Sequence, residues 1–347
     1  MTTSPELPAD TRVPIIALDR NEASAELPRD VRGEILERLA ALDWRCYPRA
    51  PYPDALAARI AEASGVTPSH VVVGSGGIAL IGAITDALVQ PGDRVATFAP
   101  TYHRYLCAAA TRGAAVCEFR LGRDFVLDLD RFAAWLAGVR PALTWIANPN
   151  NPTGVAAPVA ALAAACARVP GIVVVDEAYA EFTGETIVPW LAGLLNVVVL
   201  RSFSKAFALA GFRVAYALAA PPLAERLRAR IPAYSVGIPN ETAASVVLEH
   251  RARLSGRARE IAAHARRFAH LLRSRLGLRA VDPSANFVLV ELGERAAGLV
   301  AALRGAGVRV RAFPDDPVLA RHVRISVGSA REMRLTFLLL ASIMESR

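Results

Sequence analysis

The sequence predicts an α/β protein, with a mostly parallel sheet in a large domain covered by helices on both faces and a smaller α+β domain after it. Three observations carry that prediction. From about residue 54 to 218, short apolar runs alternate with stretches of helical periodicity. The runs VVVG, LTWIA, IVVV and VVVL are apolar at consecutive positions, as strands buried on both faces must be. Beyond about residue 236 the texture changes to one long helical stretch followed by a few further strand-like runs.

In chain order, DALAARIAEA repeats its apolar residues at helical spacing and leads into the strand VVVG. GIALIGAITDALV is again helical, and the turn QPGD delivers the strand RVATF. AAVCEF, ALTWIAN, GIVVVDEA, NVVVLRSF and RVAYALA continue the strand series, with alanine-rich helical segments between several of them. A helix from about Asn240 to Arg275 then precedes NFVLVEL, GVRVRAF, VRISVG and a final helix. The expected division is a large domain over 30–235 and a small one over 236–347, with residues 1–29 as an N-terminal arm. In sheets of this kind functional groups collect at the carboxyl ends of the strands, which directs attention to GSGG, NPNNPTG, DEAY and SFSK.

The net charge of +8 raises the question of a nucleic-acid or membrane partner. The arginines are scattered, and the one loose run, RARLSGRAREIAAHARRFAHLLRSR, reads as the solvated face of a helix, so neither partner is expected. Cys46, Cys107, Cys117 and Cys166 have no metal or disulfide spacing and are expected as small core residues in a reducing compartment. No metal site is expected. The start of the chain lacks a basic segment followed by an apolar one, and no apolar run is long enough to span a bilayer, so a cytoplasmic protein is expected.

One lysine, Lys205, stands among otherwise arginine cations. Arginine serves any surface role but is never deprotonated, whereas an amine can lose its proton, condense with an aldehyde and act as a base. A carbonyl cofactor such as pyridoxal 5'-phosphate would need an acidic partner for its ring nitrogen, and Asp176 ends the apolar strand GIVVVD. Asn151 and Tyr179 offer an amide and a hydroxyl to its phenolic oxygen. Its phosphate calls for helix-terminal amides, hydroxyls and a guanidinium: Gly76, Gly77 and Ile78 open a helix, Ser202 and Ser204 flank the lysine, and Arg213 follows. Taken singly, each has a structural explanation. GSGG is not the GxGxxG dinucleotide fingerprint and suits any tight strand-to-helix turn, NPNNPTG suits a turn, and Asp176-Glu177 suits capping.

Together, NPNNPTG (148–154), DEAYAEF (176–182) and SFSKAFALAGFR (202–213) resemble the fold-type I, class I/II pyridoxal phosphate-dependent aminotransferases, nearest to their histidinol-phosphate aminotransferase branch. The resemblance runs from LDRNE (18–22) to VRISVG (323–328). It implies an aspartate aminotransferase-like fold and a transaminase that moves an amino group from a donor, glutamate foremost, to a 2-oxo acid or phosphorylated carbonyl acceptor in amino-acid biosynthesis. It further implies that Lys205 attaches the cofactor and shuttles the proton, Asp176 pairs with the ring nitrogen, and Tyr179 and Asn151 bond the phenolic oxygen. Tyr102 would stack on the ring, and Ser202, Ser204, Arg213 and the amides of Gly77 and Ile78 would hold the phosphate. Tyr47, with Tyr52 as a competing match, would reach the partner subunit's cofactor, which makes a homodimer with a shared active site. Arg324 and Arg311 would grip the anionic end of the substrate, and Asn21 and Asn286 fall in similar motifs, Asn21 on the substrate side.

Two departures bear on the substrate. The branch carries an acidic pair after the glycine-rich turn where this chain has Ile78 and Ala79, and an NENP-type segment where it reads Asn21-Glu22-Ala23-Ser24. The alternatives implied by similar proteins are a threonine-phosphate decarboxylase and a non-enzymatic regulator, the latter disfavoured because only about 30 residues precede the first helix.

Overall fold

The structure, a computed structural model, describes residues 15–345. The chain enters along β1 (Ile16–Leu18) and two helices, α1 (Arg29–Ala40) and α2 (Asp54–Ser64). It then alternates through β2 (Val71–Gly74), α3 (Gly77–Leu88), β3 (Arg94–Ala99), α4 (Arg104–Thr111), β4 (Ala115–Arg120), α5 (Leu129–Val139), β5 (Leu143–Ala147), α6 (Val159–Cys166) and β6 (Ile172–Asp176). The short α7 (Ala180–Thr183), β7 (Val197–Ser202), β8 (Ala215–Ala219) and α8 (Pro221–Arg228) complete this part. These seven strands, β2 to β8, form one sheet in the order β2-β8-β7-β6-β5-β3-β4. It is parallel except for β8, which runs antiparallel to both of its neighbours.

The consecutive apolar residues of the strands have a physical reason. Successive side chains on a strand point to opposite faces, and both faces of this sheet are covered. Val173, Val175, Val197 and Val199 enter the core on one face, and Val174, Val198 and Leu200 enter the core on the other. Branching at Cβ suits these residues to the extended backbone.

The helix expected from Asn240 to Arg275 is two helices, α9 (Ile238–Glu249) and α10 (Arg251–Leu276), separated at His250 with φ −99° and ψ 12°. The division expected at residue 236 falls ahead of α9, yet Ala243, Val246, Val247 and Leu248 still pack within the core of the large sheet. The passage to the smaller sheet runs along α10, with Leu254 in the first core and Ala265, Phe268 and Leu272 in the second. Its arginines lie on the outer face, as the run of basic residues suggested.

Beyond α10 come β9 (Arg279–Ala280), β10 (Phe287–Glu291), α11 (Ala296–Gly305), β11 (Val308–Ala312), β12 (His322–Ser326) and α12 (Ala330–Glu345). The second sheet has the order β1-β11-β12-β10-β9, so the N-terminal arm is stitched into it through β1, parallel to β11. Residues 1–14 of the arm lie outside the described residues. One face of this sheet is covered by α10, α11 and α12 around Val288, Val290, Val323 and Ile325. From the opposite face Phe287 packs on Tyr179, with ring centroids 5.3 Å apart. The carboxyl ends of β5, β6 and β7 therefore open toward a wall supplied by the smaller sheet.

Of the cysteines expected in the core, only Cys166 is buried, while Cys46 and Cys107 are exposed and Cys117 is intermediate. Among the described residues no helix is long and apolar enough to cross a membrane, and no group of three His, Cys, Asp or Glu could hold a metal ion.

Candidate active site

A cavity of about 340 Å³ lies where the two sheets meet. Lys205 enters it from the turn after β7, and Asp176 from the end of β6. Both sit where parallel strands terminate and the chain must turn away, so neither side chain is committed to a ladder or a helix. The Lys205 amine donates to the backbone oxygen of Arg20 at 3.1 Å and stands 6.0 Å from the centre of the Tyr179 ring. Burial pushes this amine down from its ordinary value to about 8, the Arg324 charge adds to the fall, and Glu22 opposes it. Near neutral pH a usable fraction of the amine is therefore uncharged, as nucleophilic attack on an aldehyde requires.

Asp176 is buried at 7% exposure and accepts two hydrogen bonds, one from the Tyr105 hydroxyl to Oδ2 at 2.6 Å and one from the Ala178 amide to Oδ1 at 3.0 Å. Burial raises its pKa, while the two donors and the Lys205 charge oppose that rise. Tyr179 is buried beside it, and burial pushes its hydroxyl up to about 12. That hydroxyl accepts from Asn21 Nδ2 at 2.9 Å.

At one end of the cavity, α3 begins with Gly77 and Ile78 lining the wall and with no side chain capping its amides. Such an uncapped terminus presents donors and a positive dipole end to an anion. Gly76 precedes it at φ 87° and ψ 161°, a region open only to glycine, and a Cβ there would lie 2.6 Å from Arg213 Nη2. The guanidinium thus rests against bare backbone. Arg213 is itself held in the left-handed region at φ 52° and donates to the Ala210 carbonyl at 3.0 Å and the Ser204 hydroxyl at 3.4 Å. Ser202 Oγ accepts from the Ser204 amide at 3.1 Å.

The small-sheet wall contributes Arg324, 7% exposed, from β12. It donates to Asn151 Oδ1 at 2.5 Å and to the Asp19 carbonyl at 2.7 Å, and its Nε has no partner. Arg311 lies directly across from it on β11, exposed and outside the cavity wall. Asn21 lines the cavity, but its side chain is taken up by Tyr179 and by Ser326 Oγ, which donates to Asn21 Oδ1 at 2.9 Å. Asn286 fastens the same segment of the arm by donating to the Asn21 and Glu22 carbonyls at 3.2 and 3.1 Å.

The structure thus brings together Lys205, Asp176, Tyr179, Asn151, Tyr102, Gly77, Ile78, Ser202, Ser204, Arg213, Arg324 and Asn21, with Gly76 immediately behind. It does not bring Tyr47 to this cavity. Tyr47 is 82% exposed on the loop between α1 and α2, its ring 5.6 Å from that of Tyr234. Tyr52, the competing match, is tied to β2, accepting from the Val73 amide at 2.7 Å. The reading of the sequence missed Tyr105, although the spacing TYHRY places it one helical turn beyond Tyr102. It missed Glu22 and Arg20 as well.

An uncapped helix terminus with a guanidinium and two hydroxyls, a buried carboxylate, a phenol and an amine of lowered pKa around one cavity fit a phosphorylated pyridine aldehyde. Gly76 makes the fit specific, because any side chain there would occupy the space of the Arg213 guanidinium.

Comparison with known proteins gives the same class. The profile of Aminotransferase class I and II matches residues 13–336, and the chain belongs to that family, whose cofactor is pyridoxal phosphate. Within it the chain falls in the histidinol-phosphate aminotransferase branch. It is 36% identical to the histidinol-phosphate aminotransferase of Thermococcus kodakarensis over 90% of this chain and 88% of that one. It is 34% identical to histidinol-phosphate aminotransferase 1 of Carboxydothermus hydrogenoformans, covering 92% of this chain and 90% of the relative. The crystal structure of the Sinorhizobium meliloti histidinol-phosphate aminotransferase in complex with pyridoxal-5'-phosphate superposes with a TM-score of 0.86 at 27% identity, covering 96% and 91% of the two chains. The protein is a pyridoxal phosphate-dependent transaminase with the aspartate aminotransferase-like fold.

Proposed function

We propose that this transaminase moves an amino group between glutamate and a phosphorylated carbonyl compound, with imidazole-acetol phosphate and histidinol phosphate as the acceptor and its product. The observation that carries the reading is the Lys205 amine, lowered to about 8, in one cavity with Asp176 and the uncapped start of α3.

Bound pyridoxal phosphate supplies an aldehyde for an amine and a ring that withdraws electrons from the substrate's α-carbon. The Lys205 amine would be the attachment point for that aldehyde and, when free, the base placed to lift and return the α-carbon proton. Asp176 would set a negative charge against the ring nitrogen. Tyr179 and Asn151 would serve the phenolic oxygen, and Tyr102 would cover the ring face. Arg213, Ser202, Ser204 and the amides of Gly77 and Ile78 would hold the cofactor phosphate. Arg324, in the cavity wall, would supply positive charge to an anionic substrate group, and Arg311 across the ladder adds a second positive charge. Asn21 acts on the substrate side by holding the Tyr179 hydroxyl in place.

The enzyme works in the cytoplasm as a homodimer whose sites are shared, with Tyr47 of each subunit directed to the other's cofactor phosphate. Supporting this is the exposure of Tyr47 and Tyr234 as an adjacent aromatic pair, rings tilted 49° to each other, apolar surface that a second subunit would cover.

Mixing the loaded protein with L-glutamate is expected to bleach the absorbance of the bound cofactor, and adding imidazole-acetol phosphate to restore it with release of histidinol phosphate. Failure to bleach with glutamate or any of a panel of amino acids overturns the reading. Carbon dioxide released from threonine phosphate would replace it with the decarboxylase.

A further inference from the structure

Tyr105 is not among the residues that line up with the cofactor in the reading above, yet it makes the shortest contact to Asp176. It sits in the first turn of α4, 1% exposed, and its hydroxyl donates to Asp176 Oδ2 at 2.6 Å. Its ring lies flat on Trp145 of β5, centroids 4.7 Å apart and planes 4° from parallel, and Trp145 is fully buried. On the cavity side Tyr102 meets it edge-on, at 5.6 Å and 85°. The phenol is thus fixed by stacking on one side and by a helix start below, so its hydroxyl has one place to donate.

A carboxylate in such surroundings is under two opposing influences. Burial favours the neutral acid, and donors favour the ion. Besides Tyr105 and the Ala178 amide, the titratable groups facing Asp176 are Lys205 from the turn after β7, Tyr102 from the start of α4, and Tyr179 after β6. Lys205 is the only cation among them, and it is the group consumed when the cofactor is attached. After attachment, the two neutral donors would be the protein's own fixed support of the negative charge, alongside the ring nitrogen it faces. Of the two, the amide belongs to the Asp176 turn itself, so Tyr105 is the one that a side-chain change can remove.

We propose that Tyr105 is a positioning residue, clamped by Trp145, that fixes the orientation and negative charge of Asp176 and through it the charge on the ring nitrogen of the bound cofactor. This rests on the reading that Asp176 faces that nitrogen, and the test separates the two.

Tyr105→Phe keeps the stack on Trp145 and removes only the hydroxyl. A charge-assisted hydrogen bond lost from a buried carboxylate corresponds to about tenfold or more in affinity. The expected result is cofactor binding weakened by about that factor, measured by titration of the cofactor-free protein, and an upward move of the acid-side midpoint in the absorbance of the bound cofactor against pH. The upward direction follows because Asp176 without its donor becomes protonated at higher pH. Asp176→Asn is measured in parallel, and the double variant closes the cycle. If Asp176→Asn changes neither affinity nor absorbance, the assignment of Asp176 to the ring nitrogen is wrong. If Asp176→Asn changes both while Tyr105→Phe changes neither, or if the effects of the two variants simply add, the positioning role is wrong. A lower unfolding temperature with an unmoved absorbance midpoint also counts against the proposal, since that is what a merely structural tyrosine would give.

Discussion

Lys205 concentrates the residue-scale chemistry, because it is the one cation in the chain able to release its proton inside the cavity. Lys205→Arg is expected to leave the fold intact, with circular dichroism and unfolding temperature close to the parent. Covalent attachment of the cofactor should vanish and turnover should fall by at least about 10²- to 10⁴-fold, the range associated with a missing acid–base group. Turnover at the parent rate would remove Lys205 from the site. The same amine makes a stability prediction whose sign can be worked out. Its ordinary value is 10.5 and its folded value about 8, so between those pH values the unfolded chain holds a proton that the folded chain has released. Folding of the cofactor-free protein therefore gains from this group as pH rises from 8 to 10.5 and carries a constant deficit from it below 8. Urea midpoints of the parent and Lys205→Met, compared across that window, should converge as pH rises; parallel curves would contradict the lowered value.

At the scale of an element, the junction of β2 and α3 is where local geometry and ligand chemistry coincide. Gly76 takes a backbone conformation available to glycine and leaves room for the Arg213 guanidinium. Gly76→Ala is expected to cost about 1–3 kcal/mol of stability from backbone strain alone. It should also displace Arg213 and weaken cofactor binding more than Gly82→Ala, a change in the middle of α3 where a Cβ meets nothing within 4 Å. Isothermal titration of the two cofactor-free variants decides this, and equal affinities would show that Arg213 has no part in holding the phosphate. The sequence announced the turn through GSGG but not its tenant. Arg213 is far along the chain and comes to rest on Gly76 because β8 runs antiparallel beside β2.

For the molecule as a whole, the cavity has walls from both sheets and from the arm between β1 and α1. Asn21, Ser326 and Asn286 join arm, small sheet and Tyr179 in one buried set of hydrogen bonds, and Arg324 is tied to the same arm through the Asp19 carbonyl. If the proposed dimer shares its sites, a mixture of Lys205→Arg chains and Tyr47→Ala chains should recover activity that neither has alone. A mixed dimer has one site with a native lysine and a native tyrosine from opposite chains. The assay is turnover before and after co-refolding, and no recovery at a concentration where sedimentation shows dimers would confine Tyr47 to its own chain.

The strands and most of the helices were legible from the sequence because burial on two faces writes itself as consecutive apolar residues, and a helix face as a three-to-four spacing. Lys205, Asp176, Tyr179, Asn151 and Arg213 were legible because each sits at a strand end in a motif of unusual composition. The break at His250, the continued packing of α9 with the large sheet, the exposure of Cys46 and Cys107, and the Tyr105 bond to Asp176 were not. Local spacing carries no information on which distant groups meet. By itself the sequence determined the class of fold and the residue types able to do amine chemistry, since both follow from side-chain identity and short-range periodicity. Only the tertiary structure decided how far the amine's pKa falls, which donors hold the carboxylate and which arginine faces inward, because desolvation and hydrogen bonding depend on what the completed fold places within a few ångströms.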